Sequence, residues 1–550
     1  MGKAGMRARQ GEPVGHVGGA PPVRRGNAPL ATVALIGGGP TAIYALRHLL
    51  DAPFPLDIHV FERDREVGPG MPYREEINTS EMLSNIGSRE IPPVLQTLVE
   101  FLSDCDTQTL SEFGLSEEEI GPETFFPRLV LGRYFTAQLA ALVARARRLG
   151  HRVEVRSRYT VRDIVPGPEG TEVSWQSPSG DGTARYDHVV VATGHQWADR
   201  VHSSGVTLHA PWPAKALRRF IGCKVGILGS SLTAIDTVLA LAVFHGTFVE
   251  DGEDVRWDPA PSAEAFRAVM MSRRGLLPDA DWYYELPLPG LPSFDEDAVS
   301  REIARGPKNL LARCHRILAS DIAALDPDYA QRTSPEKLDG FADRHFAERM
   351  KGDPWEVARS LVEIASVQRE ARTADPWRPA LLKAHEIYER IIPHLSAQER
   401  EIFSRELKPV FADIYASVPH RSIRRMLALH EAGVLELTRL GSDYTINPRG
   451  AGVLVEGASG ALFVDALIDA RGQRAADLSG LKFPTLAAMG EFDPSTLSIR
   501  VPEGCRGTIT CVAIPVLLPS NPFVQGLERA RDLGRLAAER IIGEERDAVS

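Results

Sequence analysis

Two separate strand–glycine–helix openings in a single chain restrict its fold more than any other feature. The first runs Ala31-Thr32-Val33-Ala34-Leu35-Ile36 into Gly37-Gly38-Gly39-Pro40-Thr41-Ala42. The second runs Lys224-Val225-Gly226-Ile227-Leu228 into Gly229-Ser230-Ser231-Leu232-Thr233-Ala234. Each reads as a buried-type strand, a tight turn and a helix start. Such a turn aims backbone N–H groups and the positive end of a helix dipole at a pyrophosphate. One opening implies one dinucleotide. Two imply a flavin and a nicotinamide facing each other, which is redox chemistry. The fold class expected is α/β, with two interleaved Rossmann-like dinucleotide-binding domains and an inserted helical cap.

In the first opening Gly37 permits the tight turn, Gly39 lets the backbone approach the phosphates, and Ala42 takes the third, close-packing position. Apolar residues at Ala42, Leu46, Leu49 and Leu50 follow at helical spacing, and the helix stops before Pro53. The next strand, 56–61, ends on Glu62, 25 positions after Gly37. That is near the roughly 20 positions expected for the acid that holds a ribose hydroxyl. With Pro40, Thr41 and Arg63 these residues form the candidate FAD site. The irregular stretches Gly68-Pro69-Gly70-Met71-Pro72-Tyr73 and Met82-Leu83-Ser84-Asn85-Ile86 read as cofactor-lining loop, with Met82 and Asn85 as candidates, or as plain surface loop. Val189-Val190-Val191-Ala192-Thr193-Gly194-His195 is a strand ending in a small-residue turn, where Thr193 and Gly194 let the chain pass close to a cofactor. The strand-to-glycine shape recurs at Leu467-Ile468-Asp469-Ala470-Arg471-Gly472, which adds Asp469 to the FAD candidates.

The second opening departs from the pattern at Ser231, where a second glycine is usual. A Cβ there crowds a pyrophosphate, although the hydroxyl can donate to it. Gly229, Ser230, Ser231 and Thr233 are its candidates. The following strand, 268–272, ends on Arg273-Arg274 where the first site has an acid. Exchanging acid for arginine favours a 2′-phosphate, hence NADPH over NADH; the plainer alternative is a solvated basic edge. Arg273 lies 44 positions after Gly229, and the excess length, 246–261, reads as a hairpin turning at Asp251-Gly252.

Composition narrows the function classes. The 550 residues suffice for two or three domains, and a net charge of −10 disfavours nucleic acid or an anionic membrane as partner. No apolar run approaches the roughly 20 residues of a membrane helix. Five cysteines without a Cys-x-x-Cys disfavour a dithiol reductase and suit a reducing cytoplasm. Residues 1–28, rich in Gly, Pro and Arg, read as a disordered arm. From 296 to 414 amphipathic helical patterns dominate, as at 357–370 and 379–392, and read as a cap over the substrate. Arg421, Arg424 and Arg425, after Pro419, are either a solvated basic face or a wall that grips a substrate carboxylate. Phe523, a further FAD candidate, lies in the turn before a final helix whose N-terminal dipole would approach an electron-rich group. The domains expected are FAD-binding at 29–210 and 440–550, NADPH-binding at 211–295 and 415–439, and the cap between.

The strings GGGPTA, FERD, GPGMPY, MLSNIGSREIPP, VVVATGH, GILGSSLTAID and MSRRGLLP together resemble a bacterial group of FAD/NAD(P)-binding proteins related to the class B, N-hydroxylating flavin monooxygenases. The resemblance covers most of 30–290 and about 415–545, and only loosely the helical insertion. It implies FAD and NADPH as cofactors and oxygenation of a small amine or amino acid by O₂ through an oxygen adduct of reduced flavin. Some members of the group resemble aspartate N-monooxygenases that form nitrosuccinate. A flavin reductase without oxygenation and a flavin-binding redox sensor are the other readings. No residue pattern singles out a catalytic acid or base, or a metal site.

Overall fold

Long uninterrupted apolar stretches become strands buried on both faces, which a parallel sheet flanked by helices requires. The computed structural model describes residues 30–547, so the expected arm at 1–28 lies outside the described residues. The strands that matter below are β1 (Ala31–Ile36), β2 (Leu56–Glu62), β3 (Arg152–Ser157), β4 (His188–Val191), β5 (Thr207–His209), β6 (Lys224–Leu228), β7 (Gly246–Asp251), β8 (Asp254–Pro259), β9 (Arg267–Ser272), β10 (Leu435–Arg439), β11 (Ala466–Asp469) and β12 (Thr508–Cys511). The helices are α1 (Pro40–Leu49), α2 (Arg128–Leu149), α3 (Leu232–Ala242), α4 (Pro354–Ala371), α5 (Trp377–Ile391), α6 (His420–Glu431) and α7 (Leu527–Asp547).

The first sheet runs β12–β4–β1–β2–β3, extended beyond β12 by two short strands. Its five main strands are parallel. α1 buries Ala42, Ile43, Tyr44, Ala45, Leu46 and Leu49 against this sheet, the helical spacing seen in the sequence. α7 crosses α1 at Gly534, where a Cβ would stand 2.6 Å from the Ala45 nitrogen and 2.9 Å from the Thr41 oxygen. Only glycine permits that approach.

The second sheet runs β10–β9–β6–β11–β5 and ends on Arg200–Val201. β6 lies between β9 and β11 as β1 lies between β2 and β4, all parallel. The chain therefore enters this sheet at residue 200 and returns to it at 466–469. Both stretches fall in the segments 29–210 and 440–550 expected to bind FAD. The cause is plain: a strand-to-glycine pattern is the same in either sheet, and pairing partners are not written locally. β7 and β8 form the inserted antiparallel hairpin, with Gly252 at φ +60 in its turn.

The helical stretch seen at 357–370 lies within α4, and that at 379–392 lies in α5 and runs one residue into the 3-10 turn that follows it. The helical block has its own core, in which Phe294, Leu318, Phe341, Leu381, Tyr388 and Phe411 are buried. It is fastened to the loop after β9 by the buried pair Arg378–Asp279.

The C-terminal helix is fastened to the first sheet by His188 in β4. Its Nε2 lies 3.1 Å from Glu545 Oε1 and its Nδ1 3.5 Å from Glu544 Oε2. Burial acts to lower the His188 pKa, but the hydrogen bonds to Glu544 and Glu545 outweigh it and raise it. A raised folded pKa means stability that is complete below the unfolded value of about 6.5 and lost as pH rises through the folded value. The melting-temperature gap between the native chain and His188→Ala should therefore be widest near pH 6 and narrow towards pH 8; a gap constant with pH would contradict the clamp. Gly534→Val should cost about 1–3 kcal/mol in denaturant unfolding by forcing α7 off α1, and an unchanged midpoint would contradict the close crossing.

Candidate functional site

The two openings are built alike. At the first, Gly37 N–H donates to Phe61 O at 2.8 Å, and Ala192 N–H donates to Ile36 O at 2.8 Å. At the second, Gly229 N–H donates to Met271 O at 2.7 Å, and Ala470 N–H donates to Leu228 O at 2.9 Å. Gly37 has φ +111 and Gly229 φ +122. A Cβ would stand 2.3 Å from Ala192 O at the first and 2.7 Å from Ala470 O at the second. Each glycine is thus required by a carbonyl of the neighbouring crossover as well as by its own backbone.

Gly39 is the extended N-cap of α1, no side chain caps the helix, and Pro40 occupies its first turn. The remaining N–H groups of that turn, at Thr41 and Ala42, have no partner within the helix. Glu62 closes β2 beside them, 7% exposed, accepting 3.0 Å hydrogen bonds from Gly38 N–H and Asp64 N–H. Burial raises its pKa against those two bonds and Arg74. Arg63 points outward, 65% exposed, towards Asp64. A helix N-terminus without a cap, a glycine approach and a buried acid on the adjacent strand fit a dinucleotide pyrophosphate and ribose. The buried Thr193 hydroxyl, which has no hydrogen-bond partner, fits a bound group at the crossover as well.

At the second opening Ser231 is the exposed N-cap of α3 and makes no side-chain cap bond, which leaves its hydroxyl free for a ligand. The Ser230 hydroxyl instead donates to Leu276 O at 2.6 Å. Thr233 is half-buried in the first turn of α3. Arg273 is exposed at the end of β9. Arg274 is not beside it. Its guanidinium lies 4.3 Å over the Phe346 ring and 3.2 Å from Asp343, only 13% exposed. The strand ends at Ser272, and the bend at 273–274, which leads into Gly275 at φ +65, carries the Arg274 side chain away from Arg273 to the helical block, so the expectation that both hold a phosphate is corrected for Arg274.

Three further expectations change. Asp469 closes β11 in the second sheet, and its carboxylate is engaged by Arg200 at 2.5 Å and Arg471 at 2.6 Å, so it is not part of the first site. Phe523 is buried in the helical block against Phe403, Phe411 and Tyr415, so it packs there instead of against a flavin. Arg421 and Arg425 both pair with Glu250 of the hairpin, at 2.5 and 2.7 Å, and Arg424 pairs with Glu253 at 2.7 Å. Arg421 and Arg425 do line a cleft of about 450 Å³, but Glu66, Glu75 and Glu81 share it. The inserted hairpin, which no local pattern connects with these arginines, engages all three through two carboxylates.

What the structure brings together is the pair of crossovers. In a dinucleotide-binding half, the adenosine ribose sits at the strand on one side of the glycine turn, and the rest of the molecule passes to the other side. Glu62 and Arg273 stand at the ends of the strands on that first side of each turn. The opposite sides end in Thr193-Gly194-His195-Gln196 and in Ala470-Arg471-Gly472-Gln473, and Gln196 N–H donates to Gln473 Oε1 at 2.8 Å. His195 Nε2 lies 3.3 Å from Gln525 Oε1, just before α7. Arg128, at the start of α2, donates from its backbone to Met82 O and from Nε to Leu83 O. Its guanidinium lies 2.6 Å from Asp236 of α3, whose pKa burial pushes up to about 6. Met82 is packed into the core of the second domain, and Asn85 is exposed beside it. Arg128, Asp236 and Gln525 have no local sequence signature. His195 had one, its place directly after Ala-Thr-Gly.

Comparison with known proteins agrees with this construction. Residues 34–196 match the FAD-NAD(P)-binding family model, and 295–415 match the YdhS-like middle domain. The chain is 36% identical over 521 residues to the Escherichia coli (strain K12) protein described as uncharacterized protein YdhS, spanning 93% of this chain and 97% of that one. Among solved structures, the Kutzneria ornithine N-hydroxylase is 15% identical with TM-score 0.44, covering 94% of this chain and all of its own. The L-lysine 6-monooxygenase of Pseudomonas syringae is 15% identical with TM-score 0.42 (94% and 99% covered), and a thioredoxin reductase of T. acidophilum 10% identical with 0.36 (94% and 98%). Likenesses of that size say nothing of what this chain does. Among the described residues no helix is long and apolar enough to cross a membrane.

A side chain at Gly229 meets both a carbonyl and a backbone conformation that L residues rarely adopt. Gly229→Ala should weaken nicotinamide-nucleotide binding at least about tenfold by calorimetry and leave FAD content unchanged, at a strain of about 1–3 kcal/mol. Unchanged affinity would contradict the second site.

Proposed function

This chain belongs to the family of E. coli YdhS, FAD-NAD(P)-binding proteins with a YdhS-like middle domain, and we propose that it is an NADPH- and FAD-dependent monooxygenase acting on the nitrogen of a small amine or amino acid. The observation that carries this reading is the bond between the two crossovers, Gln196 to Gln473. It directs the redox halves of two dinucleotides to one point. FAD, when bound, supplies the two-electron chemistry that links a nicotinamide to oxygen.

This chain's residues hold the groups at that point. Glu62 takes the ribose of FAD in the first opening, and Arg273 takes the 2′-phosphate of NADPH in the second. The middle domain grips the loop that carries Gln525: Phe523 is buried in its core, Asn521 Nδ2 donates to Glu389 of α5, and Arg529 lies 2.5 Å from the same carboxylate. These contacts fix the Gln525 loop beside the junction. A disulfide-reducing course has less support, because Cys511 is a buried thiol with its pKa pushed up to about 12 and no Cys-x-x-Cys is present. The overall change balances as NADPH + O₂ + R–NH₃⁺ giving NADP⁺ + R–NHOH + H₂O. An acidic substrate such as L-aspartate needs cationic partners, and Arg421, Arg424 and Arg425 are already paired with Glu250 and Glu253.

The test is purified FAD-loaded protein with NADPH, O₂ and a panel of L-aspartate, L-lysine and L-ornithine, read by mass spectrometry. A product carrying one added oxygen on nitrogen is expected. NADPH consumption that yields only hydrogen peroxide or a reduced acceptor with every amine would overturn the oxygenase reading and favour a reductase. Coenzyme choice is a separate test. Arg273→Ala should weaken NADPH binding about ten- to a hundredfold through loss of a charge-assisted contact worth roughly 1.5–3 kcal/mol, and spare NADH. Arg274→Ala should not discriminate between the two coenzymes. Equal losses for both coenzymes in Arg273→Ala would contradict the phosphate contact.

A further inference from the structure

His195 stands directly after Gly194, whose φ of +66 turns the chain at the end of β4. By the strand order it lies on the side of the first opening away from Glu62, where the flavin half of the cofactor ends. Its neighbour Gln196 makes the bond to the second crossover. So this imidazole sits beside the junction towards which both redox halves are directed. Its Nε2 faces Gln525 Oε1 at 3.3 Å. With that amide oriented as in the structure, Nε2 carries the proton, and Nδ1 is left as a lone-pair acceptor. Burial lowers the His195 pKa, the Arg128 charge adds to this and Gln525 opposes it, so the ring is neutral near pH 7. The charged groups at hand are Arg128 from α2 and Asp236 from α3, and they are engaged with each other at 2.6 Å.

The reaction proposed above needs such a group. An aliphatic amine is an ammonium ion at neutral pH, with a pKa of about 10, and an ammonium nitrogen has no electron pair with which to form a bond to oxygen. We propose that His195 Nδ1 removes the proton from the substrate's ammonium group at the crossover junction. The N–H bond breaks to Nδ1, and the freed electron pair forms the N–O bond. The proton passes from the imidazolium to the second oxygen atom of O₂, which leaves as water. Hydride from NADPH supplies the electrons, and no further reductant or proton is required. This rests on the monooxygenase reading.

The experiment compares native protein, His195→Ala and the size-conserving His195→Asn, all FAD-loaded, with whichever of L-lysine, L-ornithine and L-aspartate the native protein hydroxylates fastest. Near pH 7 both variants should lose about a hundredfold or more in hydroxylamine formation, the low end of what a general base contributes. Anaerobic reduction of FAD by NADPH should stay within about twofold, and hydrogen peroxide should replace the missing product. In the variants, product formation should rise about tenfold per pH unit, because solution must then deprotonate the amine. In native protein the visible spectrum of bound FAD should shift as pH falls through the lowered His195 pKa and the ring charges, and this shift should vanish in His195→Asn. A loss that does not change with pH, no loss at all, or a spectral shift that survives in His195→Asn would overturn the proposal. Native protein that reduces FAD with NADPH but hydroxylates no amine would overturn the monooxygenase reading, and the proton-transfer proposal with it. If the alanine variant fails to retain FAD, the asparagine variant decides the matter.

Discussion

The carbonyl oxygen of Ala192 lies where a side chain at Gly37 would have to stand, and the carbonyl oxygen of Ala470 does the same at Gly229. Everything at the site depends on these two close approaches. Each fixes a crossover against the turn that receives a pyrophosphate, so the chain leaving the sheet must pass over the far end of the bound molecule. Because both crossovers leave in the direction of the other domain, they meet, and Gln196 bonds to Gln473. The duplication is therefore more than two binding sites in one chain. It brings the crossovers of the two turns into contact with each other.

The relative placement of the two halves is held by polar contacts between distant segments. Arg128 joins the Met82–Leu83 backbone to Asp236, and Arg425 joins Glu81 O to Glu250. Removing two charges from water costs more than such pairs usually return, so they are weak evidence for stability. Losing one partner would leave a buried charge and would cost much more. Their geometry is selective: each pair forms only when the loop at 81–85, the start of α2 and the second domain are in one arrangement. The helical block contributes through Arg274, Asp279 and the Gln525 loop, so it bears on both sites without supplying a dinucleotide turn of its own.

The sequence made both turns, their helices, the acid at Glu62 and the hairpin at Asp251-Gly252 readable, because each depends on residues within about thirty positions. Long-range partners were not readable. Arg421, Arg424 and Arg425 look like an anion wall until the hairpin brings Glu250 and Glu253 across them. Arg273 and Arg274 look equivalent until the bend after β9 sends one of them to Phe346. Asp469 carries the same local pattern as a residue of the first sheet and belongs to the second. Phe523 sits in the expected turn, yet its ring is drawn into the aromatic core of the middle domain. In each case the residue's type was legible and its partner was not.

The central claim is that the crossover contact places a nicotinamide and a flavin within hydride-transfer reach of each other. Anaerobic rapid mixing of FAD-loaded protein with NADPH tests this most directly, since it needs neither oxygen nor a known amine. The account predicts that the flavin's visible absorbance bleaches in a single turnover, at a rate that saturates with NADPH concentration. Protein that binds both FAD and NADPH, yet keeps its flavin oxidised until a mediator is added, would contradict it.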